Sequence, residues 1–152
     1  MKPIQACFVC KERRGTFHRE VREVSPSKFL EAYLSMNLGE AISPIKDLKR
    51  IYSPNVRVML VDDIGVLMQG PLTDVRGWPD VHVAFWDRVL VGREEMCYTL
   101  AEIVAQDARV GGVWTAIPKE ARATIAFAKR VGFKVTQETE SLLALSLAIY
   151  TV

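Results

Sequence analysis

The sequence has none of the features that direct a chain to a membrane, to export or to nucleic acid. No apolar run approaches the ~18–20 residues of a membrane-spanning helix. Residues 1–5 (MKPIQ) do not resemble a signal peptide, so we expect a cytoplasmic protein without a membrane partner. The net charge of +2, from 20 Lys and Arg against 18 Asp and Glu, is too close to neutral to predict a nucleic-acid partner.

Cysteine and histidine are also scarce, with three and two copies respectively. Cys7 and Cys10 form a Cys-x-x-Cys pair, a spacing found in redox and zinc sites. Here the pair lies in an apolar run typical of a strand, where residues three apart point to opposite faces. The chain has no second cysteine pair, and His18 and His82 lack ligand spacing. We therefore interpret Cys7 and Cys10 as small packed side chains and expect no metal site.

The composition of the 152 residues is that of one ordinary globular domain, 1–152, with 49% hydrophobic and 25% charged residues. Alternating and 3.6-residue hydrophobic patterns predict a β(β)–α–α–β–β–β–α–β–α–β–β order. The predicted strands are 3–10, 16–24, 55–60, 66–69, 81–86, 113–118, 135–138 and 142–149, and the predicted helices follow Ser25 and cover 41–50, 93–108 and 119–131.

The most informative segment is 113–135, in which a strand ends at Pro118, a helix rich in small residues follows, and Gly132-Phe133 leads into another strand. Gly132 stands where a glycine ends a helix. Residues 124–133 (TIAFAKRVGF) resemble the closing motif of the Gcn5-related N-acetyltransferase (GNAT) superfamily. This resemblance implies a mixed α/β (α+β) fold with a mostly antiparallel central sheet flanked by about four helices. The first strand, in the hairpin of residues 1–24, would be an addition to the family pattern.

The resemblance implies acetyl-CoA as co-substrate, bound beside the strand 81–86 with its pyrophosphate on the amides that open the next helix. Gly92 matches the first glycine of the family's phosphate loop. Val89 then takes the basic position, while Arg88 lies one residue out of register and Arg93 is a partial substitute. The residues implied in cofactor binding are Phe85, Trp86, Asp87, Arg88, Val91, Gly92, Arg93 and Phe127. The alternative is that Gly92 only makes a turn and that Glu94 and Glu95 cap a helix, where they would repel a pyrophosphate.

The catalytic residues of the family are only partly matched. The position of its general-acid tyrosine, four residues before the motif glycine, holds Ala128. Its asparagine after the preceding strand is replaced by Lys119 or Glu120. The candidates are His82 and Asp87 as bases and Tyr98 as a replacement acid, for which Cys97 and Tyr150 are alternatives. The alternatives are an ordinary core or edge histidine, a turn pair between Asp87 and Arg88, and a packed tyrosine.

Two functions follow from this resemblance. The first is acetyl-CoA-dependent N-acylation of an unidentified amine on a small molecule or a protein. The second is a catalytically degenerate GNAT fold that acts as an interaction or assembly module, as a homo-oligomer or with a virion protein. The segment 82–87 followed by Gly92-Arg-Glu is similar to acetyltransferase-like proteins of tailed phages, which would place such a chain in the host cytoplasm or the virion.

Overall fold

The structure, a computed structural model, describes residues 4–10, 15–35, 48–62, 64–85 and 92–149. Eight strands and three α-helices lie in these ranges, with a 3-10 helix at Leu48–Tyr52. The strands are β1 (Ile4–Cys10), β2 (Gly15–Glu23), β3 (Arg57–Val61), β4 (Gly65–Thr73), β5 (Pro79–Phe85), β6 (Gly112–Pro118), β7 (Lys134–Glu138) and β8 (Leu142–Ala148). The helices are α1 (Pro26–Ser35), α2 (Arg93–Ala108) and α3 (Arg122–Val131).

The strands form one sheet in the order β1-β2-β3-β4-β5-β6-β8-β7. Neighbouring strands are antiparallel except β5 and β6, which run parallel. A parallel pair requires a crossover connection, and α2 supplies it. The predicted fold class, including the additional first strand, is therefore confirmed.

Two hydrophobic cores cover the two faces of the sheet. The larger lies under α2 and α3, where Leu100 and Ile117 are fully buried. The smaller lies under α1, where Phe29 packs with side chains of β3 and β4. The strand β5 contributes alternately to both, since Val83 faces the α2 core and Ala84 the α1 core.

Several predicted boundaries agree with the structure. The helix 93–108 has the predicted ends. The Ser25 Oγ accepts a hydrogen bond from the Lys28 amide at 3.2 Å, which confirms the predicted cap of α1. Gly132 follows α3 with φ 124°. The acidic turn between β3 and β4 holds Asp62 at φ 46°.

Other boundaries differ for identifiable reasons. The helix α3 begins at Arg122 and not at Lys119, because the Lys119 amide bonds to Ser141 and the Ala121 amide to Pro118 in a turn. The predicted loop 71–80 is shorter, because β4 continues through an irregular register to Thr73 and Pro79 opens β5. Most of the predicted helix 41–50 lies outside the described residues.

The described part of the chain has no helix long and apolar enough to cross a membrane. The same residues contain no group of three or more His, Cys, Asp or Glu that could hold a metal ion. The backbone of Cys7 and Cys10 lies in β1, as predicted.

Candidate active site

The central feature of the sheet is an opening between the parallel strands β5 and β6. Their register contains one pair, Asp80 with Trp114, although both strands are described along their whole length. From Val81 to Phe85, β5 pairs with β4 on one side and with no strand of the described residues on the other. An unpaired strand edge presents backbone N–H and C=O groups to which an extended ligand can bind.

A small cavity of about 20 Å³ lies in this opening. It is lined by Val81, His82, Val83, Thr115 and Ile117 from the strands, and by Cys97, Phe127, Ala128 and Phe133 from the helical side. A cavity of this size holds about one water molecule. The side chains of α2 and α3 therefore nearly fill the opening.

The N-terminus of α2 lies just after this strand in the chain. Gly92 has φ 82°, a left-handed conformation that glycine adopts without strain. The first bond of the helix runs from the Met96 amide to the Gly92 carbonyl at 2.9 Å, so the amides of residues 93–95 have no partner within the helix. Among the described residues no side chain caps this end by a hydrogen bond. The first turn of a helix presents backbone amides and a positive dipole end, which suit an anion.

The first turn of α2 is tied to α3 by an ion pair. Arg130 Nε donates to Glu94 Oε1 at 3.1 Å, and the same guanidinium lies 5.8 Å from the ring centroid of Phe127. The pair is partly exposed and is therefore screened by solvent. It nevertheless places a cation beside Glu94, one of the two acidic residues that we expect from the sequence to repel a pyrophosphate.

Two polar side chains share one face of β5, because they are two residues apart. His82 is half-buried and contributes to the cavity. Asp80 is buried, and its Oδ1 accepts a hydrogen bond from the Leu72 amide at 3.0 Å. Burial raises the pKa of the Asp80 carboxyl. The Leu72 amide and the Arg50 guanidinium, whose Nη2 lies 3.7 Å from Asp80 Oδ2, lower the pKa by less, so it stays above its ordinary value. Asp80 thus provides a buried carboxyl near the candidate base.

Sequence reasoning missed Asp80 because it placed residues 71–80 in a loop. The available signal was the alternation of Asp80, His82 and Ala84 with the apolar side chains of β5. Thr115 was also missed; it contributes a hydroxyl-bearing side chain to the cavity lining.

The other candidate residues occupy different surroundings. Phe85 is fully buried in the core, so a ligand would meet its backbone only. Tyr98 is half-buried and packs against the core without lining the cavity in the opening. Phe127 lines the cavity, and Arg93 is half-buried in the first turn of α2. The remaining candidates, Trp86, Asp87, Arg88, Val91 and Tyr150, lie outside the described residues.

Cys97 lies at the helical wall of the cavity and is fully inside the core. Burial, together with the nearby charge of Glu94, raises the pKa of its thiol to about 12. The thiol is therefore protonated at neutral pH and acts as packing. Ala128, at the position of the family tyrosine, is also buried in this wall and provides no hydroxyl.

No protein-family model and no curated protein matches the chain. Solved structures do match it. The GNAT domain of S. lividans PAT superposes with a TM-score of 0.66 at 12% identity, over 95% of this chain and 96% of that one. Campylobacter jejuni N-acetyltransferase PseH in complex with acetyl coenzyme A gives 0.59 at 10% identity, over 84% and 98%.

A variant of the spermidine N-acetyltransferase SpeG from Vibrio cholerae gives a TM-score of 0.60 at 10% identity, over 85% of this chain and 94% of that one. All three neighbours are similar along nearly their whole length; the first is a GNAT domain and the other two are N-acetyltransferases. The chain therefore has the fold of the Gcn5-related N-acetyltransferases.

Proposed function

We propose that the chain is an N-acyltransferase that uses acetyl-CoA to acylate an amine. The observation that carries the proposal is the edge of β5 between Val81 and Phe85, which no described strand covers, together with the N-terminus of α2 at Gly92, which follows closely in the chain. An acyl-pantetheine arm can bind along a strand edge, and a pyrophosphate can bind to the amides at a helix N-terminus. Acetyl coenzyme A is bound in the PseH structure, which supports the choice of ligand.

The residues present fit this ligand at the helix end and fit it incompletely in the opening. The amides of residues 93–95 suit a phosphate, and Arg130 supplies a nearby cation. The cavity of about 20 Å³ is smaller than an acyl-pantetheine arm. Phe127 and Cys97 therefore have to move away from β5 when the arm binds.

In the proposed reaction the amine nitrogen forms a bond to the thioester carbonyl carbon, and the bond from that carbon to sulfur breaks. His82, half-buried at the strand edge, accepts the proton that the attacking amine loses. Thr115 lines the same cavity, and its hydroxyl orients the water that protonates the departing thiolate. A free amide of β5 stabilises the carbonyl oxygen as it becomes negative.

Calorimetric titration with acetyl-CoA, and with CoA for comparison, tests the binding step. Micromolar affinity, worth about −8 kcal/mol, is the expected result. Thr115→Phe fills the opening and should abolish binding, whereas Thr136→Phe, an equal enlargement on the exposed strand β7, should retain it. Equal binding by both variants, or no binding by the unaltered chain at millimolar acetyl-CoA, would contradict the proposal.

A second candidate function, an interaction or assembly module without acyl transfer, is favoured by the near-complete filling of the opening. Phe127, Ala128 and Cys97 close it with apolar groups, and the position of the family tyrosine has no hydroxyl. In that case Thr115→Phe should leave association with a macromolecular partner unchanged. Sedimentation of the chain alone and with the partner measures this directly.

A further inference from the structure

A second and much larger cavity, of about 460 Å³, lies on the other face of the sheet. In β6 and β8 the residues Val113, Ile117, Leu145 and Leu147 point into the α2 core. The alternate residues Trp114, Ala144 and Ser146 therefore point away from it and form the cavity floor. Thr136 on β7, Thr73 at the end of β4 and residues 74–76 of the following loop form its sides. Its volume falls within the range of small-molecule sites.

The loop that walls this cavity is held in one conformation. Asp74 Oδ1 accepts hydrogen bonds from the backbone amides of Arg76, at 2.8 Å, and of Trp78, at 3.1 Å. The Trp78 ring lies against Gly112, where an added Cβ would be 2.6 Å from a ring carbon. The Arg76 guanidinium stacks on the same ring, 3.5 Å from its centroid. This wall is therefore formed before any ligand arrives, which reduces the entropy cost of binding.

The guanidinium of Arg76 is also fixed by its hydrogen bonds. Its Nε donates to Asp74 Oδ2 at 2.9 Å, and its Nη2 donates to Asp74 Oδ2 at 2.5 Å and to Ser146 Oγ at 2.6 Å. These contacts join the loop to β8 across the cavity. They fix the orientation of the third guanidinium nitrogen, Nη1, but they do not engage its N–H groups.

The unused hydrogen-bonding capacity of this cavity consists of donors. Asp74 already accepts four hydrogen bonds, which is about the capacity of a carboxylate. By contrast, no hydrogen bond within the described ranges engages the two N–H groups of Arg76 Nη1. The ring of Trp114 contributes to the cavity lining, but its indole nitrogen is buried, so the accessible donor is Arg76 Nη1. Lys134 pairs with Ser146 and so lies on the same face, where it adds positive charge.

We propose that this cavity is a binding site for a small organic carboxylate, independent of the acyl-transfer opening. One carboxylate oxygen accepts from Arg76 Nη1, and the body of the ligand lies over Ala144 against Trp114. Asp74 balances the charge of Arg76, but its carboxylate oxygens already accept four hydrogen bonds. A cationic ligand would therefore find no free acceptor on Asp74. A charge-assisted hydrogen bond of this kind strengthens binding about tenfold or more.

Benzoate, with benzamide as its neutral counterpart, is a suitable probe in a titration followed by the indole N–H signals of the nitrogen-15-labelled protein. The three tryptophan signals are assigned by Trp→Phe replacements. Benzoate should shift the Trp78 and Trp114 signals in a saturable way, and benzamide should bind about tenfold more weakly. Absence of a saturable shift of either signal, or equal binding of benzamide, would overturn the proposal.

Three variants locate the site. Arg76→Gln removes the donor and should weaken benzoate binding about tenfold or more. Ala144→Leu keeps Arg76 and fills the floor of the cavity, so it should also weaken benzoate binding. It tests the cavity even if Arg76→Gln loosens the loop. Arg122→Gln removes an exposed arginine on α3, in a different part of the molecule, and should bind benzoate normally. Equal loss in Arg122→Gln, or normal binding in Ala144→Leu, would contradict the assignment.

Discussion

The carboxyl group of Asp80 occupies the space above Gly70 that a side chain would fill. A Cβ built on Gly70 would lie 2.7 Å from Asp80 Cγ, far inside van der Waals contact. Gly70 lies in the irregular part of β4 that faces the start of β5. The absence of a side chain on one strand therefore allows a buried carboxyl on the next.

This contact predicts that Gly70→Ala destabilises the fold by about 1–3 kcal/mol, the usual cost of overpacking. Urea unfolding followed by circular dichroism measures the change. In an Asp80→Ala background the same substitution should cost much less, because the carboxyl has gone. An unchanged cost in that background would mean that the strain arises elsewhere.

The raised pKa of Asp80 predicts a pH-dependent stability. The folded protein holds this proton above the ordinary value of 3.8, so ionisation of Asp80 weakens folding as the pH rises from there through the folded pKa. Asp80→Asn keeps an oxygen for the Leu72 amide and removes the charge. The stability of the variant relative to the unaltered chain should therefore increase as the pH rises through 3.8 and level off above the folded pKa, as measured by urea unfolding at each pH. A relative loss over that range would show that Arg50 outweighs burial.

Cys97 should resist alkylation in the folded protein. Its thiol pKa of about 12, against the ordinary 9.0, lowers the thiolate fraction at pH 8 about a thousandfold. The measurement uses iodoacetamide on a Cys7→Ser, Cys10→Ser double variant, so that Cys97 is the remaining thiol. The same variant in denaturing urea is the control, and similar rates in both states would show that the cavity wall opens freely.

If an amine substrate is found, His82→Gln should lower kcat about a hundredfold, the typical contribution of a general base. Tyr98→Phe is the matched control, because Tyr98 packs against the core without lining the cavity. A larger effect of Tyr98→Phe than of His82→Gln would indicate that Tyr98 on α2, and not His82 on β5, transfers the proton. Release of CoA measured at several pH values separates a lost base from a general loss of activity.

The parts of the fold that could be predicted from sequence are those with local causes. The bounds of α2 follow from Gly92 before it and from a stripe that includes Met96, Leu100 and Val104. The Ser25 cap and the glycine after α3 are likewise readable within a few residues. The mostly antiparallel sheet was implied by the GNAT resemblance of a short segment, whereas the strand order was not predicted, since strand pairing across long separations leaves little local signal.

The features that could not be predicted depend on contacts between distant residues. Arg130 lies thirty-six positions from Glu94, and no local pattern joins them. The Asp80 carboxyl depends on an irregular strand register opposite Gly70, whose cause is not local. The size of the opening depends on how far Phe127 packs toward β5. The similarity to phage proteins, the acceptor amine and the partners remain predictions.

The single pair between Asp80 and Trp114 also has a mechanical consequence. Within each half of the sheet the described strands pair in antiparallel ladders of several residues, whereas one residue pair joins the two halves. A rotation of β6, β8 and β7 about this pair would change the width of the opening while sparing every other ladder bond. The packing of α2 side chains against the two halves of the sheet would then determine how easily this rotation occurs. Substitutions in α2 could change that packing without altering the strand pairing.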